Sequence, residues 1–231
     1  GIKSIPRWAF RSCKGLTSVT IPDSVTDISG EAFYDCTGLT SIVIPNGVTK
    51  INGSTFYGCT SLSSVTIPYG VTSIDNSAFY GCTSLTNVVI PDSVTSIANY
   101  AFRGCTNLKK LQMPITADAS AYEEPYATTT HYPSFDGCNS IEEITFTAGS
   151  TGIPGKGVSN GSYLFSASTS KLKSIKYEEG IKSIPRWAAR SCKGLTSVTI
   201  PDSVTDISAE AFYGCTGLTS IVIPNSVESI G

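Results

Sequence analysis

The feature that most constrains the fold of this chain is a repeat of 23 residues. Four consecutive units of this length begin at Leu16, Leu39, Leu62 and Leu85. A fixed period in this range is the signature of a solenoid, in which each unit packs on its neighbours. At this period the 231 residues make about ten units, so we treat 1–231 as a single solenoid rather than as compact domains.

Each unit carries apolar residues at fixed positions, which in the first complete unit are Leu16, Val19, Ile21, Val25, Ile28, Ala32, Phe33 and Cys36. Polar and apolar residues alternate over 18–21, which predicts one short parallel strand per unit. Proline follows this strand, where the missing N–H ends the ladder and the chain turns. The prolines are Pro22, Pro45, Pro68, Pro91, Pro114, Pro201 and Pro224.

The segment after the second apolar pair predicts a short helical turn. Ser29 is a suitable cap residue, and Glu31 to Phe33 include helix formers, so we expect one turn of helix on the side opposite the strand. A single unit cannot bury its own apolar side chains. Units stacked about 4.8 Å apart bury them in one continuous column.

The unit motif L-x-x-V-x-I-P-x-x-V-x-x-I-x-x-x-A-F-x-x-C resembles the BspA-type leucine-rich repeat over nearly the whole chain. This resemblance implies a right-handed, α/β-type leucine-rich-repeat solenoid with a parallel strand ladder. It also implies an extracellular place on the surface of a bacterium or a protozoan parasite. Members are regarded as adhesion or ligand-binding modules, and the resemblance implies no catalytic residues.

A longer period lies above the 23-residue unit. Segments 1–47 and 180–226 differ at four positions, namely Phe10/Ala189, Gly30/Ala209, Asp35/Gly214 and Gly47/Ser226. Regular units fill 1–107, two long units fill 108–171, and regular units resume over 172–231. Because one super-repeat is followed by the start of another, we expect the chain to be part of a longer tandem array.

The two long units provide the predicted ligand site. Their extensions follow the strand in adjacent units, so we expect them to leave the solenoid on the same side and to touch. Residues 108–180 hold 14 charged side chains in 73, against 8 in 92 for residues 16–107. Binding residues concentrate on loops that a rigid scaffold holds. The candidate residues are Tyr122, Glu123, Glu124, Tyr126, His131, Tyr132, Lys156 and Tyr163 in the extensions, and Lys110, Glu143 and Lys176 at outward strand positions. Alternatively, the extensions are tolerated insertions that pack on themselves.

Seven of the eight cysteines share one position in the unit: Cys13, Cys36, Cys59, Cys82, Cys105, Cys192 and Cys215. Stacked rungs hold neighbouring Cβ atoms nearly 5 Å apart, beyond the roughly 3.8 Å of a disulfide. We therefore expect a ladder of buried free thiols. A line of thiols does not converge on one point as zinc ligands do, so we expect no metal site.

Two aromatic columns follow from the same register. Phe33, Phe56, Phe79, Phe102, Phe135, Phe165 and Phe212 share a core position, which Phe10 and Ala189 hold in other units. Trp187 or Tyr163 is expected to fill the space at Ala189. Tyr34, Tyr57, Tyr80 and Tyr213 each follow a core Phe and should form a second, half-buried column outside.

Several function classes are excluded by composition and motif context. A net charge of −2 gives no basic surface for nucleic acid, and no apolar run reaches the roughly 20 residues that span a bilayer. The G-x-S-x-G match at 157–161 has no strand before it, and His131 has no partner nucleophile. We therefore expect no enzyme and no cofactor.

Two functions remain open. The first is a module that binds a protein or glycan ligand, possibly of the host matrix, through the strand face and the extensions. The second is a stalk or spacer without a ligand of its own. An irregular, charged protrusion in each 179-residue super-repeat favours the first, because a spacer does not need one.

Overall fold

The computed structural model describes residues 1–115, 134–149, 171–186 and 188–231, which contain fifteen short strands and no helix. All strand pairs are parallel. The strands fall into two ladders that run along the solenoid. The first ladder holds β3 (Ser41–Val43), β5 (Ser64–Thr66), β7 (Asn87–Val89), β9 (Lys110–Pro114), β10 (Glu143–Thr147), β11 (Ser174–Tyr177) and β13 (Ser197–Thr199). The second holds β1 (Ser4–Ile5), β2 (Asp27–Ile28), β4 (Lys50–Ile51), β6 (Ser73–Ile74), β8 (Ser96–Ile97), β12 (Ser183–Ile184), β14 (Asp206–Ile207) and β15 (Ser229–Ile230).

The second ladder corrects the prediction of one strand per unit. After the first strand, a tight turn reverses the chain direction, and Val25 N–H donates to Pro22 C=O at 3.0 Å. Two residues then pair with the next rung, as Ser4 and Ile5 pair with Asp27 and Ile28. A two-residue strand has only one inward side chain. Such a strand is too short to show the alternation of polar and apolar residues by which strands are predicted from sequence.

The predicted helical turn is also wrong. Glu31 and Asp35 have positive φ angles of 60° and 58°, and most described rungs repeat such angles at one or both positions. A left-handed residue twice within five positions cannot belong to a right-handed helix. The segment forms successive tight turns instead, and its amides reach the next rung. Phe33 N–H donates to Thr55 C=O at 2.9 Å, and Asp35 N–H donates to Tyr57 C=O at 2.7 Å.

The core is a column that runs inside the rungs between the two ladders and the turn segments. Its phenylalanines stack as predicted, with ring centroids 5.0 to 5.5 Å apart from Phe10 to Phe135. Leu39, Val48, Ile51 and most of their equivalents are buried beside them, although Ile230 in the last rung is exposed. Each rung therefore buries its apolar residues on its neighbours, as a solenoid requires.

The first ladder is interrupted between β5 and β7. Five strands form one sheet in the order β13-β11-β10-β9-β7, whereas β5 pairs with β3 alone. On the other side of the core, β6 still pairs with β8 in the same two rungs. The interruption is therefore confined to the outer face of the first ladder, which we call the strand face.

Candidate functional site: the strand face

The five-stranded sheet presents two straight rows of side chains on the strand face. The first row holds Asn87, Lys110, Glu143, Ser174 and Ser197, in register on neighbouring strands. The second holds Val89, Gln112, Thr145, Lys176 and Thr199. Between the rows, Val88, Leu111, Ile144 and Ile175 are buried and Val198 is half-buried, because side chains alternate along a strand.

Three predicted site residues lie in these rows on three adjacent strands. Lys110 is on β9, Glu143 on β10 and Lys176 on β11. We call the outward side chains of β9, β10 and β11 the charged platform. Lys110 Nζ lies 2.8 Å from Glu143 Oε2, and Lys176 Nζ lies 3.4 Å from Glu178 Oε1. The hydrogen bond and charge of Glu143 raise the pKa of Lys110, so Lys110 remains charged at neutral pH.

The other eight predicted residues are Tyr122, Glu123, Glu124, Tyr126, His131, Tyr132, Lys156 and Tyr163, and they lie outside the described residues. The start of both extensions is described. Ile115 N–H donates to Thr147 C=O at 2.8 Å, and Pro114 pairs with Thr147 in the sheet. Thr147 also hydrogen-bonds Asp92. The described bases of the two extensions, at Ile115 and Thr147, are therefore adjacent at one end of the charged platform.

The strand face also contains a cleft that the sequence did not reveal. It lies at the interruption between β5 and β7 and has a volume of about 400 Å³. Its lining consists of Ser63, Ser64, Val65, Thr66, Ile67, Thr86, Asn87 and Val89. None of these eight residues carries a charge. The first strand of the cleft has the sequence S-V-T-I-P, a form of the rung that also occurs at 18–22 and 197–201. This form is the sequence feature that the cleft shares with other rungs.

The opposite face carries a tyrosine column, but the prediction that Tyr213 is half-buried like the other three members is wrong, because Tyr213 is 59% exposed. Tyr34, Tyr57 and Tyr80 are half-buried and stack in parallel with centroids 4.6 Å apart. Arg11 lies 4.8 Å from the ring of Tyr34 at one end, and Arg103 lies over Tyr80 at the other. Burial, together with the neighbouring phenols, raises the pKa of Tyr57. Because the rings stack on each other, their flat faces are not open to a ligand.

The buried cysteines remain protonated thiols, which are poor nucleophiles. All eight are free thiols, which confirms the prediction for the seven in register, and Cys59 Sγ donates to Phe33 C=O of the preceding rung at 3.2 Å. Burial raises the pKa to about 11 for Cys36 and about 12 for Cys59. The prediction that all seven in register are buried is wrong for Cys13, which is exposed in the first rung, and for Cys215, which is half-buried. Among the described residues, no group of side chains could hold a metal ion.

The sequence matches the family model described as BspA type leucine rich repeat region, in six copies over residues 3–124 and 128–231. A solved leucine rich cell surface protein from Faecalibacterium prausnitzii A2-165 is 29% identical, with a TM-score of 0.49, covering 99% of this chain and 69% of that one. A leucine-rich repeat protein from Bacteroides ovatus ATCC 8483 is 26% identical, with a TM-score of 0.40, covering 99% and 72%. The leucine rich repeat protein of T. pallidum is 23% identical, with a TM-score of 0.48, covering 87% of this chain and 78% of that one.

No curated protein sequence matches the chain. Within the described ranges, no helix is long and apolar enough to cross a membrane.

Proposed function

Because the chain belongs to the BspA-type leucine-rich repeat family, we propose that it is a non-enzymatic module, secreted or at the cell surface, that binds a protein or glycan ligand. The ligand meets the strand face at the charged platform and at the extensions beside it. A protein of the host matrix is one such ligand. The same family membership supports a place outside the cell.

One observation carries this proposal. Lys110, Glu143 and Lys176 lie on three adjacent strands, next to the point where Ile115 and Thr147 join the bases of the two extensions. Other rungs have uncharged residues at these positions. A rigid sheet with an irregular charged region and two long loops is the usual arrangement of a binding surface on a repeat scaffold.

Charge-reversal variants test the platform. Immobilised matrix proteins and glycans would be screened with the wild type, Lys110→Glu, Glu143→Lys and the double exchange. Each single variant places like charges opposite each other and should weaken the ligand about tenfold, mainly through association rate and register. The double exchange keeps the ion pair but reverses its direction, so it should also bind poorly.

A matched ion pair in the second ladder serves as the control. Lys50 Nζ lies 2.9 Å from Asp75 Oδ2, also across neighbouring rungs but away from the strand face. Lys50→Glu should leave the ligand affinity unchanged. Equal binding by every platform variant would place the site elsewhere and reject the charged platform.

The alternative function is a spacer without a ligand of its own, and the hydrogen bonding between rungs favours this alternative. Most described rungs are hydrogen-bonded to their neighbours on both ladders and at the turn segments, so the array is stiff along its axis. A variant with residues 116–132 shortened to the regular length separates the two functions. A binding module should lose its ligand on shortening, whereas a spacer should show no ligand in either form.

A further inference from the structure

The chain turns a corner after the first-ladder segment of each regular rung, in a four-residue turn that begins at a proline. The residue three positions later donates its N–H to the proline C=O. Val48 donates to Pro45 at 3.0 Å, and Val227 donates to Pro224 at 3.1 Å. The same bond closes the turns at 22–25, 68–71, 91–94 and 201–204. Because these turns share one closing bond, they differ mainly in their two central residues.

A serine at the third position ties most of these turns to the preceding rung. Ser226 Oγ donates to Val204 C=O at 2.8 Å. The equivalent bonds, at 2.7 to 2.9 Å, are made by Ser24, Ser93 and Ser203. Each hydroxyl therefore holds the centre of its turn against the neighbouring backbone, and we call this bond the serine tether.

Gly47 removes the serine tether from the turn at 45–48. A Cβ at this position would lie 3.5 Å from the oxygen of Val25, the carbonyl that a serine hydroxyl would bond. The Gly47 N–H donates to no described residue. The side chain of Asn46 is exposed, and it makes no hydrogen bond within the described ranges. The centre of this turn is therefore held by neither a tether nor a bond of its own.

An asparagine that precedes a glycine can react with the backbone of the chain. The glycine nitrogen attacks the side-chain Cγ, a new N–Cγ bond forms, and the side-chain amide leaves as ammonia with the proton of the attacking N–H. Water then opens the cyclic imide at one of its two carbonyls. The product is aspartate, or isoaspartate if the backbone now runs through the side-chain carbon. Glycine favours the attack, because it has no Cβ and reaches many backbone conformations.

The fold accepts aspartate at the second position of the turn. Other rungs carry Asp23, Asp92 and Asp202 there. Asp23 belongs to the preceding rung, so conversion of Asn46 would place a second carboxylate beside it and make the net charge of −2 more negative by one. Isoaspartate would instead lengthen the backbone of the turn by one carbon. The aspartate product can therefore form without unfolding the rung.

We propose that Asn46 is a modification site, at which attack by the Gly47 nitrogen converts the asparagine to aspartate or isoaspartate, with water as the co-reactant. The exposed side chain, the free amide nitrogen and the missing tether act together at this turn. Its super-repeat copy at 224–227 stays intact for much longer. There Asn225 is equally exposed, but Ser226 adds a Cβ beside the nitrogen and fixes the turn through its tether.

Asn52 is a second internal control, because it also precedes a glycine. Its side chain is half-buried, and its Nδ2 donates to Ile28 C=O at 2.8 Å and to Asp27 Oδ1 at 3.3 Å. Rotation of the amide toward Gly53 would break both bonds. The fold therefore protects this pair, whereas it leaves the pair at 46–47 free to react.

Peptide mapping of the native protein after storage in mildly alkaline buffer tests the proposal, since the attacking nitrogen must lose its proton. Cleavage at lysine and arginine places Asn46, Asn52 and Asn225 on different peptides. Mass spectrometry detects the exchange of amide for carboxyl, and chromatography separates the isoaspartate peptide. Asn46 should convert at least about tenfold faster than either control, which corresponds to a barrier lower by about 1.4 kcal/mol. Equal rates at Asn46 and Asn225 would overturn the proposal.

Reciprocal substitutions exchange the residues that the two turns carry naturally, so both variants should fold, and melting temperatures check this. Gly47→Ser should slow Asn46 to the rate of Asn225. Ser226→Gly should accelerate Asn225 at least about tenfold. If Asn225 stayed slow in Ser226→Gly, the residue after the asparagine would not control the reaction, and the proposal would be wrong.

Storage of the unfolded protein in urea separates the effect of the fold from that of the sequence. Asn46 and Asn52 both precede glycine, so they should convert at similar rates in the unfolded chain, and Asn225 should remain slower. In the native protein Asn52 should become slow. Native conversion of Asn52 as fast as that of Asn46 would show that the fold does not select the site, and this outcome would also overturn the proposal.

Discussion

At the scale of single residues, the rung from Leu172 to Gly194 has exchanged two core side chains. Ala189 holds the position of the stacked phenylalanines, and Tyr177 holds the inward strand position where most other rungs have Ile. Tyr177 is 1% exposed, and its burial raises its pKa, with smaller contributions from the thiols of Cys192 and Cys215. The larger ring at one position offsets the smaller side chain at the other, so the rung conserves volume.

This exchange predicts the outcome of restoring the phenylalanine. Ala189→Phe should overpack the rung and lower the free energy of unfolding by about 1 to 3 kcal/mol. Adding Tyr177→Ile should recover most of that loss, because the rung then has the same two core side chains as the following rung, Ile200 and Phe212. Urea denaturation of the wild type, both single variants and the double variant measures the coupling. A rise in stability for Ala189→Phe alone would mean that the space is open.

The expected fillers Trp187 and Tyr163 lie outside the described residues, and their part in this packing stays a prediction. The register of the sequence identified the exceptional position at Ala189. It did not identify Tyr177, because a tyrosine at a strand position is common and its burial depends on the size of its neighbours.

At the scale of elements, the thiol column gives a reactivity prediction. A thiol reagent added to the native protein should modify Cys13 rapidly and Cys215 more slowly, since these are exposed and half-buried. The buried thiols should react after denaturation. Cys13→Ser should remove the fast phase, and two or more native disulfides found by mass spectrometry would contradict the ladder.

The same column predicts sensitivity to alkali. An unfolded thiol ionises near pH 8.5, whereas burial raises the pKa to about 12 for Cys59 and Cys192. The folded state therefore holds protons that the unfolded state has lost. Stability is fully present below about pH 8.5 and falls as the pH rises toward 12. Thermal unfolding measured from pH 7 to 11 should show this decline, and a smaller one for Cys59→Ala.

The turn segments give a second prediction at this scale. Gly81 has a φ of 69°, and a Cβ there would meet its nearest neighbour at 4.0 Å, so there is space for a methyl group. Gly81→Ala should still cost about 1 to 2 kcal/mol, because the left-handed conformation disfavours a side chain. Asp35→Gly is the matched reverse change at an equivalent position with a φ of 58°, and it should raise the melting temperature. Equal melting temperatures for Gly81→Ala and the wild type would contradict the strain argument.

The turn segments show why the sequence predicted the wrong secondary structure at this position. Ser29 to Phe33 has a cap and helix formers, and locally it favours a helix. The glycine recurring at 58, 81 and 104 was the signal against it, because glycine readily takes a positive φ. The first ladder was predicted from alternation, but the two-residue strands of the second ladder depend on pairing between rungs, which no single unit contains.

At the scale of the whole molecule, the extensions predict a shared binding surface. Tyr126→Ala and Tyr163→Ala, one in each extension, should weaken the same ligand and lower the melting temperature by less than a few degrees, as expected for residues outside the core. Binding assays and thermal melts measure the two effects. Should both variants bind every partner normally, the ligand would meet the strand face alone.

The sequence predicted one part of the strand face and missed another. Lys110, Glu143 and Lys176 could be placed together because the repeat fixes their register on neighbouring rungs. The cleft was missed, because the S-V-T-I-P form of its first strand fits the repeat pattern as well as the other forms of the rung do. The structure shows Val65 half-buried where its equivalents Ile42 and Val88 are buried, and sequence periodicity does not report that difference.

The turn segments also give the solenoid an electrical direction. Phe33 and Asp35 donate their N–H groups to the following rung, and so do Phe56, Gly58, Phe79 and Gly81. Peptide dipoles aligned in this way add along the axis, as they do in an α-helix, whereas the dipoles of strand pairs largely cancel. One edge of the array is therefore a long column with its partial negative charge toward the first rung and its partial positive charge toward the last. Each added rung lengthens that dipole, so a charged partner approaching an end of the array would meet a field that depends on which end it approaches.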